Sequence, residues 1–245
     1  MNKKVLMING SFRKRNTYNL LIQIGEILKK HGIESEILNL FDYEIKHCHG
    51  CDETCINNNG CNTQGDDMDA VRKKILESDA VVFGSPVYLS GVTSKFKAFA
   101  DRTNNWFHNP ETAGKPVLCV VTTESTGINE TVKFLNSFTT GLGARKGGVI
   151  SRSRPTFGKS VEEAELARFI SLITKDKSEY APAMNEIVIF QVQKVLAIKI
   201  GGEGNKQFWE EKGWTNKMYY YDCGMGFFKK TFSKMMFSIL SKAIK

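Results

Sequence analysis

Long apolar runs are missing from this sequence. No uninterrupted stretch reaches the roughly 18 apolar residues that a membrane-spanning helix needs. The first apolar run, Val5 to Ile8, gives way to Asn9 too soon to form a signal-peptide core, so the expected location is the cytoplasm. Proline is scarce, with 5 in 245 residues, and neither an internal repeat nor a low-complexity segment occurs. Collagen-like, disordered and solenoid architectures are thereby excluded. Two familiar glycine signatures are absent as well: the chain has neither GxxxxGK[ST] nor GxGxxG at its first strand-to-helix turn, so a Walker loop and the dinucleotide fingerprint are set aside.

What is present is an ordinary globular composition, 41% hydrophobic and 24% charged. The length suits one large domain or two small ones. Net charge is +8, of which +6 falls in residues 151–245, and five lysines lie among the last 23 residues. Such a gradient is read as a solvated basic face, with no nucleic-acid partner and with membrane-surface contact only a competing account.

Periodicity defines the organisation. Lys3 to Asn9 reads as a buried strand stopped by Gly10. Leu20, Leu21, Ile24, Ile27 and Leu28 then mark one helical face, ended by His31-Gly32, before a second strand at Ile33 to Leu40. The rhythm repeats. Asp66 to Glu77 predicts a helix, Ala80 to Phe83 a strand, Val92 to Thr103 a helical stripe, Val117 to Val121 a strand, Ile128 to Phe138 a helix face and Gly148 to Ile150 part of a fifth strand. Leu166 to Ile173 closes the series as a helix. Each crossover holds a helix, which favours parallel pairing. The expected fold is α/β: a doubly wound, flavodoxin-like five-stranded parallel sheet with helices on both faces. Residues 1–180 form this domain, and residues 181–245 a mostly helical C-terminal extension that packs on the core or on a neighbouring subunit.

Three loops follow strand ends. Asn9-Gly10-Ser11-Phe12-Arg13-Lys14-Arg15-Asn16-Thr17 opens the first helix, where free N–H groups and a partial positive charge favour an anion. Ser11, Arg13, Asn16 and Thr17 would complete a phosphate cradle; in the competing reading Asn16 merely caps the helix. Gly84-Ser85-Pro86-Val87-Tyr88-Leu89-Ser90-Gly91 ends the third strand and Thr122 to Gly127 the fourth. Together they flank the point where strand order reverses, where a planar ligand fits.

In these residues the chain resembles the NADPH-dependent FMN reductase-like branch of the flavodoxin-like proteins, which includes the iron-sulfur flavoproteins. The resemblance rests on Asn9-Gly10-Ser11-x-Arg13-x-x-Asn16-Thr17, on Gly84-Ser85-Pro86-Val87-Tyr88, and on Lys97-x-Phe99-x-Asp101-Arg102, over residues 3 to about 175. It implies that Ser11, Arg13, Asn16 and Thr17 hold the FMN phosphate. It also implies that Ser85, Pro86, Val87, Tyr88, Leu89, Ser90 and Gly91, with Thr123, Glu124, Ser125 and Gly127, surround the isoalloxazine. Asp101-Arg102 is implied to be structural or interfacial.

Four cysteines fall close together as Cys48-x2-Cys51-x3-Cys55-x5-Cys61, and in a reducing compartment such a cluster points to metal or redox chemistry. Four thiolates on a compact loop can ligate a [4Fe-4S] cluster, one per iron. His47 and His49 beside Cys48 leave a zinc site open, and metal-free thiols are the third reading. The iron-sulfur members show C-x2-C-x2-C-x4-7-C, so this chain departs by one residue between Cys51 and Cys55.

The expected function is an FMN-dependent oxidoreductase that accepts hydride from NAD(P)H and passes electrons to a small acceptor such as a quinone or flavin. The alternatives are an iron-sulfur flavoprotein electron carrier with a ferredoxin-like partner, and a non-catalytic binding module on the same scaffold. No acid or base falls in the three loops except Glu124, so no catalytic residue is assigned. The Trp/Tyr-rich stretch and the amphipathic C-terminal helix (Phe228, Phe232, Met235, Met236, Ile239, Leu240, Ala243) are expected to bury surface in a homodimer or homotetramer, part of it near a neighbour's flavin.

Overall fold

A computed structural model describes residues 3–57 and 61–244. Its strands are β1 (Lys4–Asn9), β2 (Glu34–Asn39), β3 (Ala80–Pro86), β4 (Pro116–Thr123) and β5 (Arg145–Ser153). Between and after them run α1 (Asn16–Lys30), α2 (Asp52–Asn57), α3 (Met68–Glu77), α4 (Ser94–Asp101), the one-turn α5 (Asn105–His108), α6 (Ile128–Gly141) and α7 (Glu163–Thr174). The extension adds α8 (Met184–Lys199), α9 (Gly202–Glu211) and α10 (Phe227–Ala243). All strands pair in parallel in the order β2-β1-β3-β4-β5, the flavodoxin-like arrangement. Among the described residues no helix is long and apolar enough to cross a membrane.

The alternation of side chains along each strand divides the core into two layers. Leu6 and Ile8 of β1, Val81 and Phe83 of β3 and Val121 of β4 point to the face covered by α3, α4 and α6. Val5, Met7, Val82, Leu118 and Val120 point to the other, covered by α1 and α7. Burial on both faces is why these strands read as near-continuous apolar runs. Phe83 lies at the middle of the first layer, its ring 5.7 Å from Phe96 and 5.4 Å from Phe138 in edge-on or tilted contacts.

Two elements differ from the sequence reading in extent. β5 extends on both sides of Gly148 to Ile150, the part of it read from sequence, and Gly147 is skipped in the pairing that takes Lys146 to Val117 and Gly148 to Leu118. A Cβ on Gly147 would lie 2.6 Å from the Phe169 ring, and Gly148 has φ +127°, so the two glycines make the bulge that lets α7 approach. The helix expected from Asp66 begins at Met68, and the Asp66 carboxylate joins it to the preceding segment, accepting from Lys46 N at 2.9 Å and from Met68 N at 3.2 Å.

The extension packs on its own chain. Phe190, Phe208, Trp209, Trp214, Tyr219 and Tyr220 form a third buried cluster. Trp209 Nε1 donates to the His108 carbonyl at 2.7 Å, and Asn205 Nδ2 to Asn109 Oδ1 at 2.7 Å, so α9 is fixed to the end of α5. The aromatic stretch is therefore interior to this chain: it neither lines the pocket at the sheet end nor lies open for a subunit interface. α10 lies along α8 with Ser233 buried and Phe232, Met236 and Leu240 half-buried, while Phe228, Met235 and Ile239 face outward. Lys245 lies outside the described residues.

One buried ion pair holds the cysteine segment to the core. Arg102, at the end of α4 and 2% exposed, grips Asp66 through both terminal nitrogens and donates to the carbonyls of Lys46 (3.1 Å) and Thr63 (2.8 Å). Its remaining Nε donates to Cys61 Sγ at 3.1 Å. Burial alone would raise the Asp66 pKa, but the guanidinium and the two backbone N–H groups outweigh it and hold the carboxyl below its usual range. Asp66→Asn removes the counter-charge and leaves Arg102 buried, so a loss of about 3–5 kcal/mol is expected in urea unfolding. Because the folded pKa is depressed, the pair's contribution is complete above the ordinary carboxylate pKa and drains away as pH falls through the folded value. The acid limb of the wild-type stability profile should accordingly be steeper than that of Asp66→Asn.

Candidate functional site

Parallel pairing sends the carboxyl ends of all the strands to one edge. There the loops after β1, β3, β4 and β5 enclose a cavity of about 530 Å³. It sits beside the β1–β3 switch point, where helices leave the sheet on opposite faces and a crevice is unavoidable.

The loop after β1 is built from inside outward. Asn9 is fully buried, and its side chain bonds Ser11 N and Ser11 O at 3.1 Å and Asn39 Oδ1 at 2.9 Å, tying the turn to β2. The Ser11 hydroxyl donates to Arg13 O at 2.8 Å. α1 then begins at Asn16, with Arg15 in the N-cap position. No side chain caps this end and its first turn holds no acid. The capping reading of Asn16 is thus replaced by one in which Asn16 lies inside the helix, leaving first-turn N–H groups without a side-chain acceptor. These groups and the exposed Arg13 and Arg15 are aimed at the same cavity. Thr17 closes the floor through a 2.7 Å hydroxyl contact with Thr122.

The opposite wall is a tight turn. Tyr88 and Gly91 exchange backbone bonds of 2.8 and 3.0 Å, and the two residues between them, Leu89 and Ser90, both have positive φ (48° and 61°). Neither is glycine, so the turn stores strain of about 1–3 kcal/mol per residue, a feature that concentrates at functional sites. The next loop supports it. Gly127 has φ +86°, and a Cβ there would come 2.8 Å from Val87 Cγ1 and 2.9 Å from Ser90 Cα, so only glycine lets the loops after β3 and β4 touch. The Thr123 hydroxyl accepts from Ser125 N at 3.2 Å and donates to Thr126 O at 2.8 Å, shaping that loop from within.

Most of the residues singled out in the sequence meet here. Ser11, Arg13, Asn16 and Thr17 line one side, Pro86, Val87, Tyr88, Leu89 and Ser90 another, and Thr123, Glu124 and Ser125 a third. Ser85, Gly91 and Gly127 stand behind the wall. Ser85 is fully buried and bonds Pro86 O at 2.8 Å and Thr93 N at 3.2 Å. Besides Thr122 and Thr126, which fall within the loop read after the fourth strand, two lining residues were not named as site residues. Arg15 is indistinguishable in sequence from a solvated base, and Phe157 follows β5, whose end was not treated as a binding loop although strand order puts it next to β4. Glu124 is the only carboxylate lining the cavity among the described residues, and no histidine lines it.

The cysteine segment forms a separate place, after β2. Cys48 is exposed, Cys51 and Cys61 half-buried, and Cys55 buried on α2. Burial and then the neighbouring Cys51, Cys61 and Cys48 push the Cys55 thiol up. Burial also opposes ionisation of Cys61, yet the Thr63 N–H and the Arg102 guanidinium prevail and hold that thiol below its usual value. Arg102, taken from sequence as structural, is therefore also the cationic neighbour of one thiol. Among the described residues no group of three or more His, Cys, Asp or Glu side chains is placed to hold a metal ion, although the other three thiols lie within electrostatic reach of Cys55.

Known proteins share this plan. An iron-sulfur flavoprotein of Archaeoglobus fulgidus is 49% identical over 100 residues, 41% of this chain and 48% of that protein, so the chain matches about half of that relative's length. A second iron-sulfur flavoprotein from the same organism is 30% identical over 220 residues, 86% of this chain and 99% of the relative. The crystal structure of RosB with bound 8-demethyl-8-formylriboflavin-5'-phosphate superposes with a TM-score of 0.55 at 16% identity, covering 71% of this chain and 77% of that one, a likeness of fold. The family model for NADPH-dependent FMN reductases matches residues 3–150. By that match and by its full-length relative, the chain belongs to the NADPH-dependent FMN reductase family of flavodoxin-like proteins.

Proposed function

We propose that the protein is an FMN-dependent oxidoreductase that takes reducing equivalents from NAD(P)H and delivers them to a small acceptor such as a quinone or a flavin. The observation that carries this reading is the acid-free α1 N-terminus, without a side-chain cap, opening into the cavity beside the β1–β3 switch point. FMN, when bound, would supply the hydride and electron chemistry that no side chain in the cavity can perform. The chain supplies the rest. The first-turn amides of α1 with Arg13 and Arg15 neutralise a phosphate, and Ser11 and Thr17 border it. The strained Leu89–Ser90 turn and the Thr123–Gly127 loop hold a planar ring between them, and the half-exposed Tyr88 shields one side from water. The cavity is open enough for a nicotinamide or an acceptor to reach the ring, and Glu124 is the one side chain there able to exchange a proton with it.

A second reading comes from the relatives named iron-sulfur flavoproteins: an electron carrier working with a ferredoxin-like partner. It requires the four thiols to draw together around the irons. Anaerobic iron and sulfide analysis tests it, with values near zero after reconstitution removing it.

Purified protein is expected to be yellow and to release FMN on denaturation. Arg13→Ala should weaken FMN binding about tenfold or more, as expected for a charge-assisted contact, and riboflavin, which lacks the phosphate, should suffer at least as much. Fluorescence titration measures both, and colourless protein with no micromolar affinity for FMN would sink the reading. NAD(P)H oxidation with a quinone or free flavin as acceptor should proceed in the FMN-loaded protein. An FMN-loaded protein that fails to turn over with either acceptor would favour the carrier.

The outward stripe of Phe228, Met235 and Ile239 is what a second copy would cover in the proposed homodimer or homotetramer. Light scattering on the full chain should give a multiple of the 27.6 kDa chain mass, and a truncation before Gly224 should lower it. A full-length monomer that binds anionic vesicles, and loses that binding on truncation, would replace this proposal with membrane-surface association.

A further inference from the structure

The end of the sheet opposite the flavin cavity holds another hollow, of about 440 Å³. Its walls come from the amino ends of the strands: Lys3 before β1, Asp79 before β3, Lys115 before β4 and Arg145 at the start of β5, with Asp176 and Lys177 after α7.

Arg145 sets this hollow apart. The buried arginines of the described chain are Arg72, Arg102, Arg145 and Arg152. Arg72 reaches Asp69 at 3.7 Å, Arg102 grips Asp66, and Arg152 holds Glu165 with bonds of 3.0 and 2.7 Å. Arg145 is 4% exposed and forms no ion pair among the described residues. Its Nε donates to Gly114 O at 2.8 Å, and its two terminal nitrogens have no acceptor there. Although the residue is buried as a whole, these terminal nitrogens are not among the fully enclosed unpartnered atoms, so the fork opens into the hollow. Beside it the Tyr221 hydroxyl is buried without a hydrogen-bond partner among the described residues, with the Tyr221 ring packed over Gly114 and within electrostatic reach of Arg145.

The surrounding charges do not supply what is missing. Lys115 donates only to the carbonyls of Leu76 and Ser78, and Lys177 forms no ion pair among the described residues. The acids in the wall are engaged elsewhere. Asp79 holds Lys3 at 3.0 Å, Asp176 accepts from Ser178 N at 2.8 Å, and Glu111 accepts from Trp106 Nε1 at 3.3 Å. Three cations thus face one hollow without a bonded carboxylate. Burial pushes the Lys115 ammonium down to about 8, and burial together with Arg145 lowers Lys177, against a smaller opposing pull from Asp79 on the first and Asp176 on the second.

We propose that this hollow is a second ligand site, remote from the flavin, for a small oxyanion-bearing molecule whose phosphoryl or carboxylate group fills the open fork of Arg145 between Lys115 and Lys177. A guanidinium offers paired N–H donors to such a group, and the ammonium groups add point charges on either side. The volume suits a small metabolite.

The test uses protein saturated with FMN, so that the phosphate loop of the flavin site is filled, titrated calorimetrically with pyrophosphate and separately with citrate at constant ionic strength. Saturable binding of at least one anion is expected, and the tighter of the two tells a phosphoryl ligand from a carboxylate one. Arg145→Met should weaken it about tenfold or more. Lys177→Gln, on the loop after α7, should weaken it too and keeps the test decisive if the buried replacement does not fold. No saturable binding of either anion, or binding that a folded variant leaves unaltered, would overturn the site. The last outcome would place the anion elsewhere on the basic surface, since FMN already fills the phosphate loop, whatever the fate of the oxidoreductase reading.

Discussion

The parallel pairing of β1 with both β2 and β3 is the constraint on which the rest of the molecule depends. Parallel neighbours cannot be joined by a hairpin, so each connection must travel back along the sheet as a helix. That requirement buries the strands on both faces and divides the core into the Leu6–Phe83 layer and the Met7–Val82 layer. It also sorts the loops. Those that follow strands collect at one edge and those that precede strands at the other, so the chain acquires two distinct ends from a single pairing rule. At the first end the reversal of strand order opens a crevice, and the start of α1 points into it.

Buried charge is handled in two ways within this scaffold. Arg102 spends every guanidinium nitrogen, on Asp66, Lys46, Thr63 and Cys61, and so converts an irregular segment into one fixed to α4. Its cost of desolvation is met within the chain. Arg145 lies at the other end of the sheet with a single side-chain bond. The same residue type is therefore a strut in one place and the head of the proposed anion site in the other. The difference is made by whether a carboxylate from a distant segment reaches it.

The extension shows how apolar surface finds its cover. Phe190, Trp209 and Tyr220 pack among themselves, with Gln193 bonding the Gly141 carbonyl and Trp209 the His108 carbonyl. α8 and α9 are thereby tied to the ends of α6 and α5. Stability of the extension and of the segment holding Cys55 are linked, since α2 contacts α9 and Asn109 Nδ2 donates to Ile56 O.

The strands, most of the helices and three of the loops around the cavity at the strand ends were legible in the sequence. Hydrophobic period is a local property, and a parallel sheet leaves its strand-end loops nowhere to go but one edge. Ser11, Thr17, Pro86 and Thr123 were legible for that reason. The Gly147–Gly148 bulge shortened the fifth strand on paper because two glycines weaken a strand pattern, whereas packing against Phe169 demands them. Tertiary structure alone decided the rest. That Phe157 closes the cavity, that Arg102 turns to Cys61, that the tryptophans cover α5 rather than a partner, and that Arg145 goes without a carboxylate all depend on contacts between segments far apart in the chain. Period and composition say which residues seek burial or a counter-charge; only the folded arrangement says which of them find it.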